Sequence, residues 1–180
     1  TLITIKRVNY LNFILRSNSM VNFYKNILIV IIFLFGVSSK LYAGDPVNKA
    51  SKYVYAGNYT QAKAVFVKAQ PKFNNNFGLN YLMALYYFRA DNPDNNLDSA
   101  YLYCTLANKN YAIPESEKLK EKYAEYNIRL LNINTLQKDI NAKAFAIADS
   151  LNTIKTWEHF MGYYANSIYI DQAVAKRNEL

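Results

Sequence analysis

The stretch Ala50-Ser51-Lys52-Tyr53-Val54-Tyr55-Ala56-Gly57-Asn58-Tyr59-Thr60-Gln61-Ala62-Lys63-Ala64-Val65-Phe66-Val67-Lys68-Ala69-Gln70-Pro71 decides the fold. Its apolar residues recur at three- and four-residue steps, as on one face of a helix, and Gly57-Asn58 interrupts them where one helix ends and another begins. A connection this short lays the two helices antiparallel. One such pair cannot bury both of its apolar faces, so further pairs must stack on it.

The same pattern continues to either side. Asp45-Pro46 gives an N-cap followed by proline at the first helical position, predicting a helix over residues 46–56. A second runs over 59–69 and is stopped by Pro71; a third covers 76–90, with 91–96 as its loop, and a fourth covers 97–108. Pro114 opens a charged fifth helix to 131, and Asn134 with Gln137 forms a capping pair for a sixth ending at Leu151. Residues 153–164 and 167–180 supply the last two. The expected fold class is all-α: a right-handed α-solenoid of stacked antiparallel hairpins.

Internal repetition supports stacking. Ala50 and Tyr53 recur as Ala84 and Tyr87, 34 residues on, while Ala62, Phe66 and Ala69 are answered by Ala100, Cys104 and Ala107 at an offset of 38. The four extra residues fit in the 91–96 loop. Over residues 46–107 the chain resembles the tetratricopeptide repeat family, with Gly57-Asn58-Tyr59, Ala62, Phe66, Ala69 and Pro71 matching its turn and second helix. It departs from the family in Ala50 and Ala84, which stand where glycine is usual, in its early proline, and in lacking the tryptophan-leucine opening. Beyond Pro114 the repeat phase is ambiguous. Residues 152–167, around Trp157-Glu158-His159-Phe160, resemble an element of envelope-associated repeat proteins of Bacteroidetes, in which such helical arrays precede a propeller or an OmpA-type peptidoglycan-binding domain.

Ahead of these helices, Met20-Val21-Asn22-Phe23-Tyr24-Lys25 leads into an apolar core over 27–37 and then Ser38-Ser39-Lys40-Leu41-Tyr42-Ala43. A basic start, a short apolar core and a small residue at the cut are the layout of a secretory signal peptide, too short for a membrane span of about 20 residues. The reading is therefore a leader over 20–43, upstream readthrough over 1–19, and an exported domain from Gly44, periplasmic or outer-membrane associated. Lys6, Arg7, Arg16, Lys25 and Lys40 precede Gly44 and no acidic residue does, so 16 basic and 13 acidic side chains remain and the net charge falls from +8 to +3. Those charges are interspersed, as in Glu115-Ser116-Glu117-Lys118, which excludes the basic cluster that nucleic-acid binding needs. The lone Cys104 rules out an internal disulfide framework, so the domain must rest on an apolar core. An apolar stripe reaching the end at Lys176-Arg177-Asn178-Glu179-Leu180 suggests a fragment of a longer array.

Candidate chemistry is sparse. His159 lacks the second histidine or cysteines of a zinc site and reads as a surface or partly packed residue. Cys104, at a repeat position, reads as a small buried hydrophobe. The loop Asp91-Asn92-Pro93-Asp94-Asn95-Asn96-Leu97-Asp98 is rich in oxygen ligands but lacks the glycine and closing glutamate of a calcium loop, and helix capping accounts for it. Glu117 and Glu121 share a solvated, lysine-flanked face. With no phosphate loop or nucleophile elbow, no metal, cofactor or catalysis is expected.

The family resemblance implies that the first helix of each hairpin lines a binding groove. Carried onto this chain, the groove positions are Ser51, Tyr55, Tyr81, Leu85, Phe88 and Arg89, where Arg89 would meet a carboxylate and the aromatics supply contact area. The same spacing also suits packing against the next hairpin. The implied role is a non-catalytic scaffold binding a protein or peptide in the cell envelope, with membrane association only through the leader or a downstream module. The alternative is a glycan-binding component of an outer-membrane nutrient-uptake system, with tyrosines or Trp157 stacked on sugar rings. Protein isolated from the envelope should begin at Gly44; an N-terminal sequence starting at Met20 or earlier would show that the leader is retained.

Overall fold

The computed structural model describes residues 44–180; the expected leader at 20–43 and residues 1–19 lie outside the described residues. Eight α-helices succeed one another: α1 (Pro46–Tyr55), α2 (Tyr59–Phe73), α3 (Phe77–Phe88), α4 (Leu97–Tyr111), α5 (Glu117–Ala124), α6 (Leu130–Leu151), α7 (Ile154–Tyr163) and α8 (Ile170–Asn178). A 3-10 turn, Pro114–Ser116, precedes α5, and the described residues contain no strand. The chain is all-α.

Side-chain oxygens start several of these helices. Asp45, Asn76 and Asn96 accept the amides of Val47, Leu79 and Ser99 at 3.0, 3.0 and 2.8 Å, each satisfying a donor that the first turn leaves free. Thr153 and Thr156 cap α7 reciprocally. Left-handed residues end three of them. Gly57, at φ 72°, closes α1, where the Asn58 amide reaches the Tyr53 carbonyl at 2.8 Å and the Gly57 amide that of Val54 at 3.2 Å. Asn127, at φ 57°, closes α5 in the same way, with the Ile128 amide on the Tyr123 carbonyl at 3.0 Å. Asn152, at φ 40°, closes α6 with a single bond from its amide to the Ala148 carbonyl, while its side chain accepts the indole N–H of Trp157 at 3.0 Å.

Several helix boundaries differ from expectation, two of them with a visible cause. Pro71 does not stop the second helix, which continues to Phe73. The bond it forfeits is to the Val67 carbonyl, and Val67 lies on the exposed side of α2, where water can take that acceptor. The charged helix expected over 114–131 is instead a 3-10 turn, the eight-residue α5 and a left-handed turn at Asn127, and α6 starts at Leu130 rather than at the Asn134 capping pair. The cause is local: buried Tyr123 and Ile128 flank Asn127 as the apolar contact of a left-handed helix stop.

Helix α3 organises the packing. Nine of its twelve residues are buried and the other three, Leu85, Tyr87 and Phe88, are half-buried. It packs most extensively on α4 and also meets α1, α2 and α6; α1 packs on α2, α4 on α6, α6 on α7, and α7 on α8. One continuous apolar cluster runs from Val47 in α1 to Ala173 in α8.

At the start of α3, Gly78 admits the Tyr123 ring. A Cβ at Gly78 would lie 2.6 Å from one ring carbon of Tyr123 and 3.1 Å from Val47. Gly78→Ala therefore gains about 1 kcal/mol of helix propensity but overpacks a site where such changes cost about 1–3 kcal/mol. The expected net result is a lower Tm; an unchanged or raised Tm would mean that Tyr123 yields at no cost.

Candidate functional site

The six positions assigned to the groove do not form one open surface. Ser51 is buried and its hydroxyl donates to the Asn48 carbonyl at 2.8 Å. Tyr81 is buried beside Tyr55, and burial first, then the neighbouring Tyr55, pushes its phenol far above the ordinary range. The Tyr55 ring is partly exposed, yet its hydroxyl donates to the Tyr126 carbonyl at 3.0 Å. At the α1 end of the groove Ser51 and Tyr81 are thus buried and the Tyr55 hydroxyl is engaged by the chain itself, while the Tyr55 ring stays exposed.

Leu85 and Phe88 are half-buried, and Lys143 of α6 places its ammonium 5.2 Å from the Phe88 ring centroid, within cation–π range. Arg89 turns away toward α2. Its Nε donates to the Tyr59 hydroxyl at 3.1 Å and pairs with Asp91 at 3.3 Å, and the Tyr59 bond is the main cause that raises its pKa. Leu85, Phe88 and Lys143 form the accessible half, while Arg89 serves the α2–α3 contact.

A second concavity was not legible in the sequence. A cavity of about 550 Å³ opens between the start of α4, α6 and α7. Ala144 and Ala148 keep its floor low, Ile147 and Leu151 form an apolar wall, and Lys155 and His159 reach it from α7. At its edge Asp98 gathers three groups: its carboxylate accepts the Tyr164 hydroxyl at 2.6 Å and lies 3.2 Å from His159 Nε2, and its backbone carbonyl accepts the Tyr163 hydroxyl at 3.2 Å. Burial and then the Asp98 bond hold the Tyr164 phenol well above its ordinary range. His159 is exposed and stacks on Tyr163, with ring centroids 5.6 Å apart. Small residues four apart on α6 were the available signal for the floor; nothing local tied Asp98 to residues more than 60 positions later.

The remaining candidates have structural surroundings. Cys104 is fully buried, its thiol pushed up to about 12 by burial, with Sγ facing the Ile133 carbonyl at 3.4 Å. The 91–96 loop is knitted by its own side chains: Asn92 donates to the Tyr86 carbonyl at 2.7 Å, Asn95 to those of Tyr87 and Arg89, and Asp94 pairs with Lys63 at 2.8 Å and accepts the Tyr86 hydroxyl. Trp157 is fully buried against Phe145, so it is not available to stack on a sugar ring. Among the described residues no three His, Cys, Asp or Glu side chains assemble as a metal site requires, and no helix is long and apolar enough to cross a membrane.

No family model, curated protein or solved structure matches the chain.

Tyr81, Tyr86 and Tyr164 share a consequence. Each is neutral in its buried place, with its folded pKa raised above the unfolded value of about 10. Their contribution to stability is complete below that pH and is lost as pH rises beyond it. Tyrosinate absorbance should therefore develop later in the folded protein than in the urea-unfolded chain, with stability falling over the same interval; coincident titrations would refute the burial of these phenols.

Proposed function

We propose that residues 44–180 form an exported, tetratricopeptide-like scaffold, a right-handed stack of helix hairpins that binds a protein or peptide segment in the periplasm or at the outer membrane without chemistry of its own. One observation carries the reading: the order of packing. In α1 to α4 each helix meets its successor and α1 also meets α3, and α6 with α7 then takes the place of a third hairpin, α6 on α3 and α4. That is how hairpins stack when each buries the face its neighbour exposes.

A partner segment lies across the first helices of the second and third hairpins, on Leu85, Phe88 and Lys143, where apolar area is bordered by a cation. The preformed helices keep the ordering cost on the ligand's side. Buried Trp157 leaves the glycan alternative only its tyrosines as stacking platforms. Peptides selected from a displayed random library on the intact protein should bind Phe88→Ala at least about tenfold more weakly, the loss of one aromatic anchor, with helicity unchanged by circular dichroism. Equal binding by Phe88→Ala would remove this surface from the reading.

A further inference from the structure

Residues 114–128 lie over the α1–α3 face and hold it through a handful of side chains. Tyr123 inserts its ring where Gly78 lacks a Cβ, packs edge-on against Phe77 with centroids 5.2 Å apart, and accepts a hydrogen bond from Asn76 Nδ2 at 2.9 Å. Lys122 sets its ammonium 2.9 Å from Asp45 Oδ2. Tyr126 offers its carbonyl to the Tyr55 hydroxyl. One carboxylate, one ring-shaped notch and one hydroxyl donor thus meet a lysine, the tyrosine next to it and a backbone carbonyl three residues on.

Within this segment, between buried Ser116 and Ile128, helix α5 itself is weakly built. Eight residues are too few for a helix to persist alone, and Tyr123 is the only buried residue of α5. Glu117, Lys118, Glu121, Lys122 and Glu125 face solvent. Each end has a pivot: Pro114 with its 3-10 turn on one side, left-handed Asn127 on the other. An element with one buried side chain opens at lower free energy than α3, with nine. Removing it would uncover the Gly78 notch and leave Asp45, whose side chain is only 15% exposed, without its cation. Such a carboxylate favours a replacement that brings a positive charge.

We propose that α5 is a displaceable cover, occupying in cis the α1 end of the groove, and that the segment which replaces it presents a basic residue followed directly by an aromatic one, as Lys122-Tyr123 do. The inference rests on the groove reading above, which it extends by naming the ligand chemistry. A partner must then compete with an occupant at high effective concentration, so the covered protein binds it more weakly than an uncovered one.

The test uses a synthetic peptide of residues 116–129 as the probe and follows amide shifts of isotopically labelled protein by NMR. Lys122→Glu, which sets a carboxylate against Asp45, and Tyr123→Ala, which empties the notch, each loosen the cover. The expected result is saturable shifts in residues 47–55 and 77–81 of either variant, with affinity about tenfold or more above that of the unaltered protein. Equal affinities in the unaltered protein and the variants would overturn the proposal. So would the absence of saturable shifts in both variants while the amides of α3 and α4 keep their positions. Should Tyr123→Ala disturb α3, the surface change Lys122→Glu decides alone. Failure of the groove reading is seen separately, as library peptides that ignore Phe88→Ala, because the cis-versus-trans comparison does not involve Phe88.

Discussion

A helix without a polar face must be surrounded, and α3 is such a helix. Burial of Phe77, Leu79, Leu82, Met83, Ala84 and Tyr86 requires neighbours on every side, and α1, α2, α4, α6 and Tyr123 of α5 provide them. At about 25 cal/mol per Å² of apolar surface, leaving any of these sides wet would cost more than most polar contacts here return. The hairpin order and the burial at the α1 end of the groove both follow from that requirement.

Tyrosine is the material that fits it. A tyrosine ring buries apolar area while its hydroxyl still needs a partner, and helix ends and loops hold spare polar groups. Tyr86 reaches Asp94, Tyr164 reaches Asp98, Tyr123 accepts from Asn76, Tyr55 donates to Tyr126, and Tyr103 accepts from Gln70. Most of these bonds join residues more than 30 positions apart. The abundance of tyrosine thus reads as interhelical fastening, with only a minority of rings left for recognition.

The helices themselves were legible in the sequence because their signals are local: Asp45-Pro46, Gly57-Asn58, and the capping residues ahead of α4. The break between α5 and α6 was expected, but at residues 132–133 rather than 125–129, because a charged run with apolar residues at helical spacing carries no local sign of where its helix stops. What sets the stop is that Tyr123 and Ile128 are both buried, on either side of a left-handed Asn127, and only the tertiary fold settles that. The groove positions were legible as a set of first-helix residues, but their environments were not. Nothing in the one-dimensional pattern states that residues 122–126 return to α1, or that Arg89 finds Tyr59 and Asp91 before any ligand. The Asp98 cluster escaped for the same reason, since its members come from two distant hairpins.

Asn152 shows how tightly a single position can be specified by two unrelated demands. The backbone there is left-handed, a conformation glycine adopts most readily. The side chain is also the acceptor for the indole N–H of a fully buried tryptophan, which glycine could not supply. Aspartate would accept the same bond but would bring a charge to the C-terminal end of α6, where the helix dipole already concentrates negative potential. The turn between α6 and α7 therefore has a much smaller set of tolerated residues than its exposure suggests, and it joins the last turn of one helix to the innermost side chain of the next.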